Sequence, residues 1–168
     1  MIVSIIYLLF SFILEGFMSN IFSSTLSNIS IFSTIYTVVA IVVIYPYFVN
    51  EKKFFLLIGI FGFLFDVVYT STFPLNLIIF LLIGLVVKLL NSLFQDNILM
   101  CSLISLLCII TYHVVTFIVL IIVKYADYNV MLLFNIIIHS LLTTLIYTII
   151  SYFIFKFIFS KFNLKQVK

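Results

Sequence analysis

Charge is the scarcest commodity in this sequence: Asp, Glu, Lys and Arg together make up 8% of 168 residues, while 66% are hydrophobic. That shortage excludes a water-soluble globule, because no fold could cover its surface with so few polar side chains. Arginine and tryptophan are absent, and the eight cations are all lysines. Eight lysines spread over the chain are too few and too scattered for a nucleic-acid surface. Cys101 and Cys108 are the only cysteines, and on a helix they stand about 10 Å apart, too far to join in a disulfide. They read as small packing residues. No run of a dozen polar residues could build a soluble module, and no period of 20 to 50 residues recurs. Neither a GxSxG elbow nor an HExxH pair is present, which speaks against intramembrane hydrolysis and leaves a chain expected to be no enzyme and to need no cofactor.

What the sequence does have is a series of long apolar runs. A bilayer core about 30 Å thick asks for roughly 20 apolar residues per helix, so the chain has room for about six spans in one domain. The runs predict an all-α polytopic bundle of six transmembrane helices over about 2–17, 31–49, 54–70, 74–90, 98–123 and 130–155. The first run has neither a positive leader nor a small-residue cleavage site and is expected to be retained. Tyr45-Pro46-Tyr47 closes the second span with a helix-limiting proline between interface tyrosines, ahead of the charged turn Asn50-Glu51-Lys52-Lys53. Before the fourth span, Ser71-Thr72-Phe73-Pro74 offers a hydroxyl as cap and a proline for the first turn.

Lysine placement gives the orientation. With the N-terminus inside, Lys52, Lys53, Lys88, Lys156, Lys161, Lys165 and Lys168 are cytoplasmic and only Lys124 is external. Both termini are therefore expected in the cytoplasm.

Ionisable groups within the spans cost roughly 2.5 to 3.5 kcal/mol on insertion scales and so ask for a partner or a wet cavity. Glu15, Asp66, His113, Asn135 and His139 all fall, by helical rise, between the middle and the outer surface of the membrane. Two main readings stay open: interhelical hydrogen bonds that fix neighbours, or an outward-facing recess for a partner segment or small ligand, with proton chemistry or metal binding as lesser alternatives. Gly59, Gly62 and Asp66 share one helix face, continued by Tyr69 and Thr70. Such a face lets another backbone approach, from the same chain or from a partner. A polar seam, Asn135, His139, Thr143, Tyr147 and Ser151, follows the last helix, and Cys101, Ser105, Cys108 and Tyr112 mark the fifth.

The segment Leu57-Ile58-Gly59-Ile60-Phe61-Gly62-Phe63-Leu64-Phe65-Asp66-Val67-Val68-Tyr69-Thr70-Ser71 resembles the glycine-rich third span of the rod-shape-determining MreD family, with its G-F-hydrophobic-hydrophobic-D pattern. Glu15 in Leu14-Glu15-Gly16 is similar to the acidic residue near the end of the first span in Gram-positive members. Phe73-Pro74 stands where the family often has glycine. The resemblance implies a non-enzymatic subunit of the bacterial cell-elongation machinery in the cytoplasmic membrane. Its main partner would be the single-pass protein MreC, and through it RodA, a class B penicillin-binding protein and MreB filaments; a homodimer stays open. It also implies a fold similar to the substrate-binding S-components of energy-coupling-factor vitamin transporters, and such an S-component is the alternative function. Against that alternative, S-components present an alanine-rich first helix, whereas alanine occurs here only at Ala40 and Ala126.

Overall fold

A computed structural model of the chain describes residues 2–21, 34–70, 73–93, 97–124 and 130–161. These residues form helices and short connections, with no strand among them. In chain order the helices are α1 (Ile2–Ile21), α2 (Tyr36–Ile44), α3 (Glu51–Phe65), α4 (Leu75–Leu93), α5 (Ile98–Ile122) and α6 (Val130–Lys161). Counting the π-helical turn Asp66–Thr70 that extends α3, five of the helices are long and apolar enough to cross a membrane. The protein is thus a helical bundle of multi-pass membrane character.

The exception is α2. A span over 31–49 was expected, yet the helix covers nine residues and a short 3-10 turn, Tyr45–Tyr47. Residues 31–33 lie outside the described residues, while Thr34 and Ile35 are not helical, Ile35 having extended backbone angles. At 1.5 Å per residue, twelve helical residues reach about 18 Å, well short of the hydrocarbon thickness. The described helix is shorter than the apolar run, and its position shows what such a run can pack against. All nine residues of α2 are buried, and the helix packs against α1, α4, α5 and α6. A helix apolar on every side suits a protein interior as well as lipid. Pro46 limits it at one end, as the sequence implied.

Around this centre the other helices present apolar side chains outward. On α1, Ile2, Ile6, Ile13 and Phe17 are exposed, and Ser4, Tyr7, Leu8, Ser11 and Phe12 are buried. That pattern is inside-out relative to a soluble helix, because lipid solvates isoleucine and the hydroxyls need protein partners. Helix contacts here are held by shape and hydrogen bonds, since lipid tails remove the hydrophobic drive between helices.

The two ends of the bundle differ. At one end Glu51 and Lys88 form an ion pair of 2.6 Å, and Tyr45 and Phe48 meet the Phe54 ring edge to face. There Tyr47 meets Phe155 and Phe159, where α6 runs a turn and a half beyond the expected limit of the span. At the other level Phe12, Phe61, Phe65 and Tyr69 form an aromatic wedge between α1 and α3, continued by Phe80 to Tyr112. This wedge sits beside both membrane-embedded carboxylates.

Candidate functional site: two carboxylates at two helix starts

The first turn of any α-helix leaves backbone N–H groups without partners, and in a membrane water cannot supply them. Both α2 and α4 begin next to a carboxylate from another segment. Asp66 is fully buried at the point where α3 loosens into its π-helical turn. Its Oδ1 accepts from the backbone N–H of Asn76 at 2.9 Å and from the Asn76 side-chain amide at 3.0 Å; its Oδ2 accepts from the N–H of Leu77 at 3.0 Å. An anion at a helix N-terminus is favoured by the helix dipole as well as by these bonds. The Asn76 amide also donates to the Thr70 hydroxyl at 2.9 Å, and the Asn76 carbonyl oxygen accepts from the Tyr112 hydroxyl at 2.7 Å. Asp66 therefore joins α3 to α4, and Asn76 carries the connection on to α5.

Glu15 does the same for α2. Its Oε2 accepts from the backbone N–H of Thr37 at 3.0 Å and from the Thr37 hydroxyl at 3.1 Å. Just ahead, the Thr34 hydroxyl donates to the Ser140 carbonyl of α6 at 2.8 Å and lies 2.5 Å from the Thr144 hydroxyl. The start of the central helix is thus held from α1 on one side and from α6 on the other.

Two glycines make the wedge possible. A methyl group on Gly62 would stand 2.8 Å from the Leu77 Cα and 3.0 Å from the Asn76 carbonyl oxygen, so α4 crosses α3 backbone to backbone at this point. A methyl group on Gly16 would meet the Tyr69 ring, whose hydroxyl donates to the Phe12 carbonyl at 2.5 Å. Gly59 has ordinary room, with Leu81 3.8 Å away. Of the expected glycine face, Gly62 and Asp66 act inside the chain, and Tyr69 and Thr70 follow them into the same junction.

The remaining expected residues do not join it. Among the described residues no hydrogen bond links His113, Asn135 or His139 to either carboxylate. The Nε2 of His113 is buried without a hydrogen-bond partner, its ring 5.7 Å from that of Tyr112. Asn135 and His139 are half-buried on α6. The two carboxylates thus make hydrogen bonds between segments, each at its own helix start. Among the described residues no group of three or more His, Cys, Asp and Glu could hold a metal ion.

On α6 the buried polar side faces α1 and α2. Ser140, Thr144 and Thr148 are fully buried alongside Thr143 and Ser151, and the Tyr147 hydroxyl lies 2.9 Å from that of Ser11. The hydroxyl cap expected from Ser71 or Thr72 lies outside the described residues; the cap seen on α4 is Asp66. Asn76, Thr34 and Thr37 escaped the sequence reading. Asn76 had one available signal, an amide two residues after Pro74 in the first turn of a membrane helix, where a polar side chain must be doing something specific. The chain matches no family model, no curated protein and no solved structure.

Proposed function

We propose that the protein is a non-enzymatic membrane scaffold of the MreD type, which holds an MreC-like single-pass partner within a bacterial cell-elongation machinery. The observation that carries this reading is the use made of Gly62 to Asp66. Gly62 seats the α4 backbone and Asp66 closes its N-terminus, so the pattern on which the resemblance rests works as one closure device. A scaffold needs a bundle of fixed shape more than it needs reactive groups. Buried caps give the bundle that fixity, because an uncapped helix start in hydrocarbon has no water to fall back on.

On this reading the chain crosses the bacterial cytoplasmic membrane six times, with both termini in the cytoplasm. The fold would be similar to that of the vitamin-binding S-components, without their ligand. RodA, the class B penicillin-binding protein and MreB would be reached through the MreC-like partner.

Co-purification from a mild detergent tests the proposal. The full-length protein carrying an affinity tag should retain the MreC-like protein of its own cell, and cells depleted of it should lose their elongated shape. Failure to retain that partner, or nanomolar binding of thiamine, riboflavin or biotin, would contradict it.

A further inference from the structure

The last helix has two unlike sides. Ser140, Thr144 and Thr148 are fully buried on the side of α6 that packs within the bundle. At 3.6 residues per turn, the opposite side carries Met131, Asn135, Ile138, Leu142, Leu145 and Ile149. The apolar members of this series are all exposed. Asn135 is the polar one. It is half-buried and makes no hydrogen bond among the described residues, and its amide is open to the surface of the bundle. Since α6 is long and apolar enough to cross a membrane, Asn135 stands about 8 Å along the crossing from the start of the helix. An amide facing hydrocarbon there has no water to bond and needs a partner from outside its own chain.

The spacing of the series says what that partner is. Steps of four and three residues alternate from Met131 to Ile149, the pattern of a seam along which two helices wind around each other. Asn135, Leu142 and Ile149 occupy one of the two seam positions, and Met131, Ile138 and Leu145 the other. We propose that a second copy of the chain docks on this seam, forming a two-fold dimer through α6. Copies of one chain insert in the same direction, so their α6 helices run parallel and each seam residue meets its own counterpart at the same depth. Asparagine suits such a meeting, because its amide both donates and accepts and so satisfies an identical amide across the axis. A single asparagine in a seam also fixes the register of parallel helices. His139, four residues further on, is half-buried and flanks the contact. The inference stands independently of the scaffold reading, since the seam shares no residue with the Gly62 to Asp66 device.

Disulfide cross-linking of the full-length protein in its own membrane tests the contact, in a background carrying Cys101→Ala and Cys108→Ala. Leu142→Cys should form a covalent dimer at least about tenfold faster than two exposed controls, because the bond demands close and aligned partners. The controls are Ile150→Cys, on α6 but away from the seam, and Leu56→Cys on α3. In liposomes, dilution of the protein with lipid should separate the copies, read by energy transfer between labelled chains. Asn135→Leu should weaken association about tenfold, and Asn135→Gln, which keeps a donor and an acceptor, by no more than about threefold. Asn135 bonds to nothing in its own chain among the described residues, so the helical content of both variants should match that of the wild type. Equal cross-linking rates at the three positions would mean random collision and would overturn the proposal. So would unchanged association of Asn135→Leu, or cross-linking of Leu142→Cys to a different protein in place of its own copy.

Discussion

Asp66 and Asn76, ten residues apart, are joined twice: one carboxylate oxygen accepts both the backbone N–H and the side-chain amide of Asn76. The turn between α3 and α4 is therefore closed by a charged residue on the first helix acting as the cap of the second. The Asn76 side chain then has its carbonyl free to receive the Tyr112 hydroxyl, which brings α5 into the same junction.

Tyr112→Phe should remove the bond from α5 and leave the Asn76 carbonyl oxygen unpaired in a buried site. A loss of about 1 to 2 kcal/mol is expected from the penalty for an unsatisfied buried acceptor. Reversible unfolding in mixed micelles reads this directly. In a double-mutant cycle, Tyr112→Phe in an Asn76→Ala background should cost clearly less than it does alone; equal costs would mean that the bond contributes nothing.

Glycine at positions 59 and 62 should behave oppositely. Gly62→Ala places a methyl group against backbone atoms of Leu77 and Asn76, which cannot give way as a flexible side chain would. Overpacking of this kind costs typically about 1 to 3 kcal/mol. Gly59→Ala meets only ordinary contact and should be neutral or stabilising by up to about 1 kcal/mol, through helix propensity. Thermal stability of the two variants in detergent decides the matter, and equal losses would refute the close crossing.

The cysteines should differ in reactivity. Cys108 is fully buried, while Cys101 is half-buried. Since α5 begins at the lysine-rich end, a small permeant maleimide should modify Cys101 faster than Cys108 by at least about tenfold, with slow labelling of Cys108 following local opening. Peptide mass spectrometry of the labelled protein separates the two sites. Faster labelling of Cys108 would contradict the packing of α5.

Some of this architecture was legible from residues alone. Asp66 and Glu15 announced themselves because a carboxylate in hydrocarbon must find a partner, and Gly62 because it stood on the same face as Asp66. The partners were not legible. Three of them are backbone N–H groups, of Asn76, Leu77 and Thr37, which carry no residue-specific mark; only the Asn76 amide and the Thr37 hydroxyl left a trace in the sequence. The length of α2 was hidden for a related reason. Apart from Thr37 in its first turn, Tyr36 to Ile44 is apolar, and hydropathy cannot tell a helix wrapped in lipid from one wrapped in other helices. The inside-out pattern of α1, with Ser4 and Ser11 buried and Ile6 and Phe17 exposed, was present in the sequence and becomes readable once lipid is taken as the solvent.

The central claim, that the two membrane-embedded carboxylates serve as helix caps, is tested most directly by comparing amide substitutions at the two sites. Glu15 Oε2 takes both the N–H and the hydroxyl of Thr37, with the Tyr36 N–H also close to the carboxyl group, so Glu15→Gln can keep the two Thr37 bonds and should lose about 1 kcal/mol, the charge and dipole contribution. Asp66 uses both oxygens for successive backbone N–H groups, so Asp66→Asn must turn an NH2 toward a donor and should lose about 2 kcal/mol; Asp66→Leu should lose at least about 3 kcal/mol. Unfolding free energies in the order wild type, Glu15→Gln, Asp66→Asn, Asp66→Leu are expected. Asp66→Asn as stable as Glu15→Gln, or Asp66→Leu as stable as wild type, would contradict the account.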